Sequence, residues 1–256
     1  MMKTFVLLLI LPLALGCNKQ KLSNCKITKI TMGYVGTNLE YSVVYSGKNI
    51  IALLRDDEKY TFTYDASDNM VKKERFDLIA NKLLTREDLA YNSSGQILNY
   101  KYYSYADSAN GELWENRDYS YSDSKLSEIR RFIKGNSQVF NWVVRINWKG
   151  GNPSTSSIYD TSGRQTGCLN PTKYIVENKE NKFNELFPQF RYLDLIAGED
   201  VSFIYLTKNI LTQINYPCQA QPNDKIDFRY VFNEKGLITE IYRDQYLLRK
   251  FEYVRD

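Results

Sequence analysis

One short phrase recurs along this chain and limits what it can fold into: two large apolar residues at i and i+2, a polar turn, then an aliphatic residue. It reads Val43/Tyr45, Ser46-Gly47-Lys48-Asn49, Ile51; then Phe62/Tyr64, Asp65-Ala66-Ser67-Asp68-Asn69, Val71; then Leu89/Tyr91, Asn92-Ser93-Ser94-Gly95, Ile97. Tyr119/Tyr121 with Ser122-Asp123-Ser124-Lys125 and Leu126 follows, and Ile146/Trp148 leads into Lys149-Gly150-Gly151-Asn152. Phe203/Tyr205 with Thr207-Lys208-Asn209 and Leu211, and Tyr230/Phe232 with Asn233-Glu234-Lys235-Gly236 and Ile238, complete seven copies. Tyr159-Asp160-Thr161-Ser162-Gly163 reads as an eighth, worn copy.

A spacing of two puts both apolar side chains on one face of a strand, and Asn, Asp, Ser and Gly tolerate the positive φ that tight hairpin loops demand. Each copy is therefore a β-hairpin, and a near-constant step between copies marks a repeated supersecondary unit. The fold class expected is all-β: a large antiparallel up-and-down meander of about 14 strands, curled into an open or incomplete barrel because twist accumulates in wide sheets. The aromatic face should point inward. Ile97/Tyr100, Leu126/Ile129, Leu211/Ile214 and Ile238/Ile241 stand three apart, which breaks strand parity unless a bulge follows each turn.

Composition agrees with strands. Tyr 21, Phe 12 and Trp 3 against Pro 6 favour pleated, half-buried surfaces. Lys3 is the only charged residue among the first sixteen, so the remainder carries 33 basic and 30 acidic residues. That balance argues against nucleic acid as a partner, since such binding rests on a basic surface.

The N-terminus gives an address. Lys3, an apolar run from Phe5 to Leu15, then Gly16 and Cys17 form a secretory-type leader, too short to span a bilayer as a helix. The pattern resembles the lipobox of bacterial lipoproteins. That resemblance implies cleavage between Gly16 and Cys17, a lipid on Cys17, and attachment to a membrane of the cell envelope. The expected organisation is a signal peptide over 1–16, a lipidated tether over 17–25 and a single β domain over 26–256. Surface-exported lipoproteins resemble one another in an acidic cluster just after the cysteine, and Lys19 and Lys21 depart from that, so the resemblance implies a periplasm-facing protein, with the outer membrane as the expected membrane.

In such an oxidising space Cys25, Cys168 and Cys218 remain if Cys17 carries lipid. Cys168 and Cys218 both flank loop residues and form the expected pair, with three unpaired thiols or another pairing as the alternative. No catalytic, metal or cofactor site is expected. The absence of histidine removes Ser/His/Asp, Cys/His and the usual zinc constellations, and neither CxxC nor a phosphate-cradling GxxxxGK occurs. Scattered carboxylates leave glycoside hydrolysis as a minority reading. Trp114, Trp142 and Tyr103 lie off the repeat phase and are the candidate ligand-stacking aromatics. Asp56-Asp57-Glu58 and Lys72-Lys73-Glu74-Arg75 read as solvated charge runs.

The runs Asn181-Lys182-Phe183-Asn184-Glu185-Leu186-Phe187, Tyr205 to Ile214 and Tyr230-Val231-Phe232-Asn233-Glu234-Lys235-Gly236-Leu237 resemble a Bacteroidota family of envelope lipoproteins. Its domain of unknown function is described as porin-like, which implies a curled sheet and supplies no catalytic residue. The function expected is a lipid-anchored envelope protein that binds or scaffolds, with an unknown protein or glycan as partner. The alternatives are a glycan-binding or glycan-hydrolysing protein and an integral outer-membrane barrel.

Overall fold

The structure is a computed structural model and describes residues 25–34, 37–134, 139–166, 170–183, 207–216 and 225–255. Its strands are β1 (Cys25–Tyr34), β2 (Thr37–Ser46), β3 (Asn49–Leu54), β4 (Glu58–Tyr64), β5 (Met70–Asp77), β6 (Lys82–Tyr91), β7 (Ile97–Ser104) and β8 (Glu112–Ser122). They continue as β9 (Lys125–Lys134), β10 (Val139–Lys149), β11 (Asn152–Tyr159), β12 (Thr172–Glu180), β13 (Asn209–Asn215), β14 (Lys225–Phe232), β15 (Ile238–Arg243) and β16 (Tyr246–Arg255). Each pairs with the next, and β1 pairs with β16 to close a barrel. The meander is thus as expected, but among the described residues it has sixteen strands and no open edge. Six hairpin phrases account for β2 to β11, β14 and β15, and Leu211 of a seventh lies on β13; β12 contains none of the phrases, and the flanking β1 and β16 close the ring.

The closure repeats the sequence phrase. In each tight hairpin the second apolar residue opposes the residue after the turn, and the next residue bulges out. Tyr64 faces Met70 while Thr63 faces Lys72, leaving Val71 extra. Tyr91 faces Ile97 while Ala90 faces Asn99, leaving Leu98 extra, and Tyr121 faces Leu126 while Ser120 faces Glu128, leaving Ser127 extra. At the seam Tyr253 faces Ile27 and Glu252 faces Lys29, leaving Thr28 extra. The expected bulge is present, and Phe251/Tyr253 with Ile27 is an eighth copy whose turn is replaced by the two chain ends. For the first two copies the inward aliphatic residues are Ile50 and Met70; Ile51 and Val71 are the bulged positions.

Bulging leaves a carbonyl on the partner strand without its ladder donor, and a hydroxyl takes it wherever the bulged residue is Ser or Thr. Ser127 Oγ donates to Ser120 O, Ser154 Oγ to Asn147 O, Thr239 Oγ1 to Val231 O, and across the seam Thr28 Oγ1 to Glu252 O. The turns are fixed by side chains as well: Asp65 Oδ1 accepts the N–H groups of Ser67 and Asn69, and Asn92 and Asn233 do the same two and four residues on. Asp160 makes that turn too, with Ser162 and Arg164. It follows β11, at the end of the barrel opposite the repeat turns, so Tyr159–Gly163 shares the turn chemistry without being a repeat.

Repeats are stitched to one another by their aromatic tips. Tyr64 Oη donates to Ile50 O at 2.6 Å, Tyr91 Oη to Met70 O at 2.7 Å, Trp148 Nε1 to Leu126 O at 2.6 Å, and Tyr230 Oη to Leu211 O at 2.7 Å. Tyr253 Oη bonds Ile238 O in the same way, and Tyr45 Oη accepts the Ile27 N–H at 3.1 Å. Each acceptor carbonyl belongs to the aliphatic residue one repeat back. Gly33 permits a close approach at the seam, since a Cβ there would lie 1.6 Å from the carbonyl oxygen of Leu247.

The inward aliphatic and aromatic residues form one continuous core that includes Ile27, Ile50, Phe62, Tyr100, Ile146, Leu211, Ile241 and Phe251. Phe183, which follows β12, packs on Phe251 with ring centroids 5.0 Å apart. Barrels of 16 strands that serve as porins keep an aqueous channel; here the turn-end half of the interior is filled. The outer face is charged instead, with Lys29–Glu40, Lys72–Glu74, Arg86–Asp88, Arg130–Glu128–Arg145 and Lys225–Asp227 pairs. Such exposed pairs add little stability each.

Candidate functional site

Beyond the apolar layers, toward the far end, the inner face of β3 to β10 changes character. In register across it stand Phe62, Lys73, Glu87, Tyr102 and Glu115, and beside them Leu89, Tyr100, Arg117, Arg131 and Trp142. The parity that buries Met70 also turns Lys73 and Arg75 inward, while Lys72 and Glu74 face out. The charge runs are therefore split between the two faces of the sheet, and Glu58 and Lys73 are buried. Reading those runs as solvated was incorrect for their inward members.

Two arginine–glutamate–arginine triads organise the wall. Glu58 accepts Arg75 Nε on one oxygen, and on the other Tyr41 Oη at 2.8 Å and Arg55 Nη2 at 3.0 Å. Glu115 Oε1 accepts both Arg117 Nε, at 2.5 Å, and Arg131 Nε. Arg117 and Arg131 lie directly opposite on β8 and β9, a like-charge pairing that would repel without the shared carboxylate. Between the triads Lys73 Nζ lies 3.5 Å from Glu87 Oε1, with side chains only 8% and 4% exposed.

Every cation here also has a ring. Arg55 lies over Tyr41 at 5.3 Å, Lys73 and Arg75 over Tyr60 at 5.1 and 5.9 Å, Arg117 over Tyr100 at 5.2 Å and Arg131 over Trp142 at 5.1 Å. Burial pushes the Glu87 carboxyl up, against the opposing pull of Lys73 and Arg117. Burial acts on Glu115 in the same sense, but the two guanidiniums outweigh it and hold that carboxyl below its ordinary range. Burial raises the Tyr102 hydroxyl, and the charges of Glu87, Arg75 and Glu115 all act on it, so this ring sits between the triads. Two buried polar atoms of the wall, Arg55 Nη1 and Tyr119 Oη, have no hydrogen-bond partner among the described residues.

The wall is wet at one place. Arg75 shares the inner face of β5 with buried Met70 and Lys73, yet its side chain is 42% exposed. A cleft of ≈ 690 Å³ beside Tyr41 and Arg55 opens at the same end, lined also by Glu40, Asp56 and Asp57.

Of the three candidate stacking aromatics, Trp142 belongs to this wall. Tyr103 lies on the outer face, where Arg86 covers its ring at 5.7 Å. Trp114 is half-buried at the β7–β8 bulge, between Glu115, which faces Tyr102, and Leu113, which faces Tyr103. The structure does not bring the three together. Gly16, Cys17, Cys168, Cys218 and the Phe203/Tyr205 copy lie outside the described residues. Sequence reading missed Lys73, Glu87, Arg117 and their partners, although the repeat phase carries a signal: Lys73 follows Met70 by three, the spacing of Tyr100 after Ile97.

No protein-family model and no curated protein matches the chain. Among solved structures it is similar to a porin-like protein from Bacteroides uniformis, with 12% identity and a TM-score of 0.37 over 89% of this chain and 84% of that one. A porin-like protein from Bacteroides vulgatus gives 12% identity and a TM-score of 0.43 over 90% and 98%. The crystal structure of TcdB2-TccC3 gives 14% and 0.40 over 83% of this chain and 12% of that one. Likeness at this level leaves function to be read from the chain's own side chains.

Proposed function

We propose that this chain is a lipid-anchored cell-envelope binding protein, held at the outer membrane through Cys17 and taking a ligand at the charged and aromatic inner wall of its barrel. The observation that carries the reading is the partition of the interior: packed at the turn end, ionic and reached by water at the far end. A barrel filled across one half has no through-channel, but it retains a one-ended site. A charged outer face suits water better than acyl chains, because lipid-facing strands present an apolar band. Glu58, Glu87 and Glu115 each face an arginine or lysine, which favours binding over hydrolysis.

Three measurements test this. Cys17→Ala should abolish acyl labelling and release the protein while leaving its fold intact; persistent labelling contradicts the anchor. Native mass spectrometry of protein taken from its own envelope should show a small molecule that Arg117→Met displaces; a bare barrel contradicts the binding role. A chain starting at Asn18 that stays dispersed only in detergent would favour the integral-barrel reading.

A further inference from the structure

We infer that the inner wall takes a carboxylate-bearing ligand, with the Arg75 guanidinium as the group that grips it and Tyr60 and Tyr102 as flanking rings. The inference rests on the binding reading above and names the ligand class for that site.

Arg75 is the wall's accessible cation. Its Nε is committed to Glu58, while its terminal nitrogens make no hydrogen bond to a described residue. An Arg with Nε occupied still presents the edge formed by its two terminal nitrogens, a planar pair of parallel donors that fits a carboxylate. The guanidinium is fixed by Glu58 on one side and by the Tyr60 ring on the other, so little freedom is lost when the ligand docks. Arg55, on the other oxygen of Glu58, adds positive charge and a buried donor without an acceptor.

Arg55, Lys73, Arg75, Arg117 and Arg131 line the wall with Glu58, Glu87 and Glu115, while Asp57 pairs with Arg55 and Asp77 stands opposite Glu58. An anion entering a partly desolvated cationic site is stabilised far more than in water. In the outer cleft the cations Lys29 and Arg55 are already paired with Glu40 and Asp57, and Asp56 adds a further negative charge. The Arg75 side chain is the one left 42% exposed, while Glu58 beside it is buried.

A carboxylate can belong to an acidic sugar or to a fatty acid, and the test separates the two. Full-length protein is titrated calorimetrically with glucuronate and with octanoate, each beside its neutral counterpart, glucose and octanol. We expect saturable binding of one carboxylate, at least tenfold weaker binding of its neutral counterpart, and weakening when salt is raised. Arg75→Gln should reduce affinity at least tenfold; Arg75→Lys, which keeps the charge and loses the fork, should also weaken it and serves if the first variant fails to fold. Equal binding of a neutral counterpart overturns the carboxylate assignment and leaves the binding role standing. Carboxylate affinity untouched by both Arg75 variants, or no saturable binding of either acid, also overturns it. None of these results bears on an envelope-derived ligand seen by native mass spectrometry, so the two readings fail separately.

Discussion

Tyr253 and Ile27 oppose each other across β16 and β1 in the register that joins Tyr64 to Met70 inside the chain, each pair followed by one bulged residue. The ends of the polypeptide therefore fall within a repeat, and the N-terminal strand completes the last one. Closing the ring this way removes both sheet edges, the part of a β protein most prone to pairing with other chains.

If the seam is an ordinary repeat, its core residues should contribute as much as internal ones. Ile27 and Ile50 are both fully buried at equivalent places. Ile27→Ala and Ile50→Ala should each cost about 3 kcal/mol, within the usual range for a buried aliphatic truncation. Urea unfolding reads both; a cost near zero for Ile27→Ala would mark the seam as loose.

The aromatic ladder makes a second quantitative claim. Tyr64→Phe and Tyr230→Phe each leave a carbonyl, of Ile50 and Leu211, without its donor. Each should cost about 1 kcal/mol. The two sites share no partner, so the double variant should show the sum. Thermal or urea denaturation checks it, and a neutral effect would mean that water replaces the bond.

Two inner glutamates should titrate in opposite directions. The folded pKa of Glu115 is lowered, so its contribution is present above the ordinary glutamate pKa and is lost as pH falls through the folded value. Glu115→Gln should therefore cost about 3 kcal/mol at neutral pH, leaving two opposed arginines, and much less in acid. The folded pKa of Glu87 is raised, so its contribution is present below the ordinary value and is lost as pH rises through the folded one. Stability relative to Glu87→Gln should fall with rising pH. Unfolding curves at a series of pH values for the three proteins test both signs.

Cys25 is disulfide-bonded, with a partner outside the described residues. A lipidated Cys17 cannot be that partner, so lipid on Cys17 requires Cys25 to join Cys168 or Cys218. The expected Cys168–Cys218 bridge and the lipid anchor then exclude each other. Non-reducing peptide mapping of the mature protein should find Cys25 linked to one of those two; a Cys17–Cys25 link would remove the anchor.

Much of the architecture was legible because the phrase is local. Tyr64 and Tyr91 announce their own hairpins, and Ile97/Tyr100 announced the bulge by its broken parity. Closure was not legible, since Tyr253 and Ile27 lie at opposite ends of the chain and no turn joins them. The charged wall was hidden for a different reason. Lys73 and Arg75 look solvated in a run of four charges, and only the phase inherited from Met70 turns them inward. Trp142 was found by its aromatic character, while its partner Arg131 carried no signal without the register between β9 and β10.

Hydrogen–deuterium exchange of the native protein tests the closed eight-repeat ring most directly. Amides of β1 from Ile30 to Met32, held between β2 and β16, should exchange as slowly as those of β9, which lies between β8 and β10. Fast exchange confined to β1 and β16 would mean an open sheet with two free edges and would contradict the account.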